Sequence, residues 1–248
     1  MAQWAKNRII RTFLSYLAIV GIGILFCIVA VPLLLLPARY RLRNRFLFWC
    51  MAASSRLVLA ASGITVHVHQ TDHVPIEPAV FVMNHASALD ILLIEGFLKA
   101  QPRVWLSKGD YKTMPVLNWF LHRLHVFVTA HDVASAARSL REVHARAAAG
   151  SGHVLIFPEG ARFDDGQIHP FFKGFSLLAA GLHRPVVPIY IAGAEKVYPR
   201  GSVLIRADHA IDLYIGPAFV RETGESHEMF TARVHEWFVM SAQFHQEG

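Results

Sequence analysis

The reading of the chain turns on Ala79-Val80-Phe81-Val82-Met83-Asn84-His85-Ala86-Ser87-Ala88-Leu89-Asp90-Ile91-Leu92-Leu93-Ile94. Its first five residues are apolar throughout, which predicts a short strand buried on both faces. A polar corner follows, and then apolar residues at helical spacing, with Ser87 as the expected N-cap of a helix reaching Leu98. Corners at the carboxyl ends of strands are where α/β sheets bind ligands. This corner carries the imidazole of His85 and, five residues on, the carboxylate of Asp90. A carboxylate that accepts the Nδ1 proton of a histidine fixes its tautomer and leaves Nε2 as a base. The same residues have a plainer use. Ser87-x-x-Asp90 is close to a capping box, in which the carboxylate only satisfies backbone donors at a helix start. On these residues alone both readings stand, and Asn84 reads as a brace for the corner.

The chain has 248 residues, enough for one sizeable domain or a domain with an appendage. Hydrophobic residues make up 54% and charged residues only 17%, and the mean hydropathy is +0.36, on the membrane side of soluble proteins. The net charge of +6 suits an anionic membrane surface, a phosphorylated substrate or nucleic acid, and its sign does not choose among them. Cys27 and Cys50 lie in the hydrophobic N-terminal part without metal-ligand spacing, and read as small apolar side chains.

The apolar excess is local. No charged residue occurs from Thr12 to Ala38, a run long enough to cross a bilayer as a helix over about residues 12–37. It lacks a small-residue cleavage site before Pro37, which argues for an anchor over a signal peptide. Lys6, Arg8 and Arg11 precede it, and Arg39, Arg41, Arg43 and Arg45 follow it, a pattern that slightly favours a cytoplasmic C-terminal side. A second apolar helix, about 44–62, ends at Gly63 and is expected to lie in the interface or fold back on the first. Residues 1–62 thus read as an N-terminal membrane anchor, and 63–248 as a catalytic domain.

Beyond Gly63 short β-like runs alternate with helical stretches, the pattern of a layered α/β fold with a mixed central sheet flanked by helices. Strands are expected at 64–69, 80–83, 103–107, 126–129, 154–157, 186–191, 203–206 and 211–215. Helices are expected at 87–98, 115–124, 132–149, 174–182 and 225–244, the last with an apolar face that includes Phe230, Val234 and Phe238.

A second apolar strand ends in Phe157-Pro158-Glu159-Gly160-Ala161-Arg162. Pro158 cannot continue a central strand and Gly160 admits a tight turn, so Glu159 and Arg162 sit on a rigid loop. An arginine there can hold a phosphate bidentately, or the two residues can merely pair with each other. Lys173 lies near a helix start, where anions are favoured. Lys108 ends the strand Leu106-Ser107-Lys108, and Val187-Pro188-Ile189 reads by itself as core.

In this order and spacing the blocks resemble the glycerophosphate acyltransferase family, specifically the bacterial 1-acyl-glycerol-3-phosphate acyltransferases, over about Ile64 to Ile215. The Asn-His-x4-Asp and Phe-Pro-Glu-Gly-x-Arg blocks are specific as a pair. The resemblance implies a membrane-bound enzyme at the bacterial inner membrane, its catalytic domain on the cytoplasmic face. Such an enzyme moves an acyl group from acyl-CoA or acyl carrier protein to the sn-2 hydroxyl of 1-acyl-glycerol-3-phosphate. It implies His85 as general base, Asp90 as the residue orienting it, acceptor binding by Lys108, Glu159, Gly160 and Arg162 with Lys173 nearby, and a structural or acyl-pocket role for Val187-Pro188-Ile189. Backbone donors near Gly160 are the expected oxyanion stabilisers. No cofactor or metal is implied beyond the thioester co-substrate. The partners are a lysophospholipid and the lipid bilayer, and not nucleic acid. One departure stands out: where many members carry an arginine after Val126-Phe127-Val128-Thr129, this chain has Ala130, which leaves Arg123 or His131 as substitutes, or a different head group such as that of lyso-ornithine lipid.

Three rival readings carry their own features. Ser87 near His85 suggests a serine lipid hydrolase, although the Gly-x-Ser-x-Gly elbow is missing. His67-x-His69 with His73 suggests a metal site. The apolar N-terminus alone is compatible with a non-catalytic lipid-binding membrane protein.

Overall fold

In a computed structural model the described residues are 2–108, 115–128, 133–150, 152–163 and 165–246. Helix α1 (Ala2–Leu34) leads into a short turn of helix, α2 (Ala38–Arg41), and then α3 (Arg45–Ala61). Asn44 caps α3 by accepting from the Leu47 N–H at 3.0 Å. Gly63, at φ +67°, ends the helix in a left-handed turn, with Ile64 N–H donating to Leu59 O at 3.0 Å. α3 buries Leu47, Phe48, Met51, Ala52, Ser55 and Leu59, a stripe at helical spacing turned towards α1 and the domain behind it. The first helix begins earlier than its apolar run and stops at Leu34, short of Pro37.

The remaining elements are β1 (Val66–His69), β2 (Val80–Met83), α4 (Leu89–Phe97), β3 (Arg103–Lys108), α5 (Pro115–Leu124), β4 (His125–Val128), α6 (Val133–Gly150) and β5 (His153–Ile156). They are followed by α7 (Gly174–Leu182), β6 (Val186–Ala192), α8 (Ala194–Val197), β7 (Ile211–Ile215) and α9 (His227–Gln246). Among the described residues the strands form one mixed sheet in the order β1-β7-β6-β2-β5-β3-β4, parallel except where β6 meets β7. The segment 203–206, expected as a strand, pairs with no neighbour and forms a loop.

β2 is central, and its alternate residues feed two cores. Phe81 and Met83 pack with Leu93, Trp105, Leu155 and Ile189 on one face. Val80 and Val82 pack with Val104, Val154, Phe175 and Phe238 on the other. Burying each of these side chains contributes roughly 1.5–3 kcal/mol before entropy is counted. Pro188 sits inside β6 without breaking the sheet. Its carbonyl, accepting from Gly216 N at 2.9 Å, faces the β7 side, so its missing N–H falls there too, just past the end of β7.

α1 does not stand away from the domain. Near one end Tyr16 OH donates to Val203 O at 3.0 Å and Ile205 N–H donates to Thr12 Oγ1 at 3.3 Å. Towards the other end Phe26 meets Phe120 edge-on at 5.5 Å, and Arg123 Nε donates to Leu34 O at 3.2 Å. The opposite flank carries exposed Ile9, Phe13, Leu17, Val20, Ile24 and Ile28. Ile9–Leu34 is the one helical stretch among the described residues that is long and apolar enough to cross a membrane.

Candidate active site

Asn84, just past the end of β2, takes the place of a strand residue. Its side-chain N–H donates to Ile191 O at 2.9 Å and its Oδ1 accepts from Ile191 N at 2.8 Å, locking the corner to β6. His85 therefore leaves the sheet at a fixed point. Its Nδ1 donates to Asp90 Oδ2 at 2.8 Å, and the same oxygen accepts the N–H groups of Ala86 at 2.8 Å and Ser87 at 2.9 Å. Asp90 is fully buried in the first turn of α4, where the helix dipole favours its charge. Capping and orientation are thus one arrangement, in which a single carboxylate oxygen gathers three donors.

Ser87 sits one residue before the N-cap position, and its hydroxyl still reaches a free N–H at the helix start. Ala88 occupies the N-cap position of α4, and Ser87 Oγ donates to Tyr198 O at 2.9 Å while accepting from Leu89 N–H at 3.3 Å. Asp90 satisfies the corner amides. A buried serine committed in this way is not presented to His85, which removes the hydrolase geometry.

The loop after β5 is laid over this corner. The Phe157 ring stacks on the His85 imidazole at 4.0 Å, Phe163 N–H donates to His85 O at 2.9 Å, and Glu159 Oε1 accepts from His85 N–H at 3.4 Å. Glu159 is buried, and burial pushes its carboxyl up to about 8, with Asp90 adding a smaller push and the His85 amide opposing it. Gly160 sits at φ +68°, and a Cβ there would come within 2.9 Å of the Phe172 ring, so glycine is required twice over. Its N–H donates to Phe157 O at 3.2 Å within the turn. Arg162 is exposed and lines a cavity of about 350 Å³ whose facing wall is Ala86–Ala88.

The structure therefore brings together His85, Asp90, Glu159, Gly160 and Arg162. Lys108 ends β3 at the same edge of the sheet, and its side chain lies outside the described residues. Lys173 is not among them: its Nζ forms an exposed ion pair with Glu228 of α9 at 2.5 Å. Arg123 stacks on Trp119 at 3.8 Å and donates to Leu34 O at the end of α1 at 3.2 Å. Ala130 and His131 lie outside the described residues. His67 and His69 share one oxygen of Asp212, at 3.3 and 2.8 Å, and among the described residues no group of three or more ligands able to hold a metal occurs.

Two residues beside the site were given no role by the sequence reading. Phe157 was visible only as a strand end, although an aromatic ring beside a catalytic corner is a signal in itself. Arg200 lies in Tyr198-Pro199-Arg200-Gly201, a turn signature overlooked in favour of a strand nearby.

A mixed α/β sheet with a histidine–aspartate corner at the end of its central strand, faced by an arginine-bearing loop, defines a group-transfer enzyme of the acyltransferase class. The acyltransferase family profile matches residues 65–192, and the chain belongs to that family. Among relatives, the chain is 27% identical over 213 residues to a 1-acyl-sn-glycerol-3-phosphate acyltransferase of Limnanthes alba, covering 84% of this chain and 74% of the relative. It is 28% identical over 219 residues to the enzyme of that name in Pseudomonas aeruginosa, covering 86% and 82%. A crystal structure of the 1-acyl-sn-glycerophosphate acyltransferase from Thermotoga maritima superposes with a TM-score of 0.77 at 24% identity, over 98% of this chain and 97% of that one, and has the same fold.

Proposed function

We propose that the protein transfers a fatty acyl group from a thioester of coenzyme A or acyl carrier protein to the sn-2 hydroxyl of 1-acyl-glycerol-3-phosphate. The observation that carries the reading is the buried Asp90 holding His85 Nδ1 at 2.8 Å, beside a cavity lined by Arg162. With Nδ1 donating to Asp90, neutral His85 keeps its Nε2 lone pair. Nε2 takes the proton of the acceptor hydroxyl as the oxygen attacks the thioester carbonyl. The new C–O ester bond forms, the C–S bond breaks, and the proton passes from the imidazolium to the departing thiolate. Asp90 stabilises the imidazolium formed on the way. Arg162, Glu159 and Lys108 hold the acceptor head group, and Gly160 lets the backbone pass close to it. Positioning two lipid substrates beside one base supplies a large share of the acceleration.

The enzyme works at the bacterial inner membrane from its cytoplasmic face, with residues 1–62 as the anchor of the catalytic domain that follows. Contacts of α1 with the domain near both of its ends support a helix lying in one leaflet, apolar flank outward, rather than a stalk through the bilayer.

A purified-enzyme assay of thiol release with a panel of lysolipids tests this. Release with 1-acyl-glycerol-3-phosphate is expected, falling about 10²–10⁴-fold in His85→Ala at unchanged circular dichroism. Release with lyso-ornithine lipid alone would replace the acceptor. Activity surviving in His85→Ala would remove the catalytic reading of the corner.

A further inference from the structure

The turn after α8 carries a second guanidinium to the catalytic corner. Arg200 Nη1 donates to the backbone carbonyl of Arg162 at 3.4 Å, and both arginines line the cavity whose far wall is Ala86–Ala88. Both side chains are exposed, and among the described residues neither has a carboxylate partner. Two arginines lining one cavity give it a net positive charge that suits an anion. A phosphate monoester, with two charges and several acceptor oxygens, suits such a pair.

The turn is fastened from two sides. Ser87, next to the catalytic corner, donates to Tyr198 O at 2.9 Å, and Tyr16 of α1 donates to Val203 O at 3.0 Å and meets the Tyr198 hydroxyl at 3.2 Å. The turn that carries Arg200 is therefore tied both to the residue after the corner and to the apolar helix. The chain has alanine at 130, and Arg123 Nε is bonded to Leu34 O of α1. We propose that Arg200 is a second phosphate-binding residue of the acceptor site, gripping the lysolipid phosphate together with Arg162 while the acyl chain runs out along α1. This rests on the lysophosphatidate reading above.

Thiol release from acyl-CoA by wild type, Arg162→Ala, Arg200→Ala and Arg200→Lys, with 1-acyl-glycerol-3-phosphate varied, tests it. Removing one charge-assisted contact to phosphate is expected to raise KM about tenfold in Arg200→Ala with kcat nearly kept, and Arg200→Lys is expected to recover part of the loss. Inorganic phosphate is expected to inhibit the wild type competitively and Arg200→Ala about tenfold more weakly. An unchanged KM in Arg200→Ala beside a raised one in Arg162→Ala would overturn the proposal and leave the function intact. So would a fall in kcat alone that lysine does not relieve, since that marks a prop for the Arg162 loop. A wild type silent towards lysophosphatidate would overturn the function itself, before any variant is compared.

Discussion

The imidazole of His85 lies flat on the ring of Phe157, with centroids 4.0 Å apart and planes 11° from parallel, and Phe157 in turn stacks on Trp105 at 5.4 Å. The base is thus held by two independent constraints: Asp90 fixes the direction of Nδ1, and Phe157 fixes the plane of the ring. Phe157→Leu keeps the apolar volume and removes the flat face. We expect kcat to fall about tenfold with KM little changed, since a stacked aromatic pair is worth about 0.5–1.5 kcal/mol beyond its area. Steady-state thiol release would show it, and an unaltered kcat would mean that Asp90 alone positions the ring.

Asp90→Asn should be more damaging. The amide can still accept from one backbone N–H, but it cannot stabilise an imidazolium, and it can present a donor to Nδ1 and reverse the tautomer. Turnover is expected to drop by about 10²–10⁴-fold, with a modest loss of Tm from the weakened start of α4. Activity within a factor of three of wild type would reduce Asp90 to a helix cap.

Glu159 makes stability depend on pH with a sign opposite to that of an ordinary ion-paired carboxylate. Burial raises its folded pKa to about 8, against about 4.5 when unfolded. Between those values the folded state holds the proton that the unfolded state has lost, so stability falls as pH rises from about 4.5 to 8 and levels off above. Glu159→Gln removes this term. Its Tm relative to wild type is expected to be higher at pH 8 than at pH 5 by roughly 5 °C, measured by thermal denaturation. A difference independent of pH would mean that Glu159 is ionised in the fold.

Beneath the site, Arg103 donates to Glu95 through Nε at 3.1 Å and Nη2 at 2.5 Å, and Trp105 Nε1 donates to the other carboxylate oxygen at 2.6 Å. Burial works against the charge on Glu95, but Arg103 and these bonds hold its carboxyl below the usual range. Glu95→Ala strands a buried guanidinium and is expected to cost about 3–5 kcal/mol in denaturant unfolding. Arg103 also reaches Phe48 O of α3 at 3.5 Å, so part of the loss should appear as loosened packing of the N-terminal helices.

Leu17 and Ile24 lie on the outward flank of α1, 62% and 59% exposed. Replacing both with glutamate should release the protein from vesicles containing phosphatidylglycerol in a flotation assay, with Tm unchanged because neither side chain belongs to the core. Retention on vesicles would place the membrane contact elsewhere.

Much of the architecture was legible because its signals are local. Apolar β-like runs ending in polar corners announce β2 and β5, and Pro158 with Gly160 announces the turn between base and acceptor loop. Gly63 marked the end of α3 for the same reason. Where the reading went astray, the deciding partner was distant. Sequence distance hid that Ser87 donates to Tyr198 O, that Lys173 pairs with Glu228 and that 203–206 forms a loop.

The sequence by itself determined the α/β class, the apolar N-terminal helices and the two motifs that carry His85, Asp90, Glu159 and Arg162, because period, turn residues and motif spacing act over a few neighbours. Only the tertiary structure decided that Asp90 gathers three donors on one oxygen, that Arg200 meets the Arg162 backbone from 38 residues away, and that Tyr16 ties α1 to Val203 across 187 residues. The physical reason is that hydrogen bonds, stacking and charge act over a few ångströms of space, and the chain must fold before such residues share it.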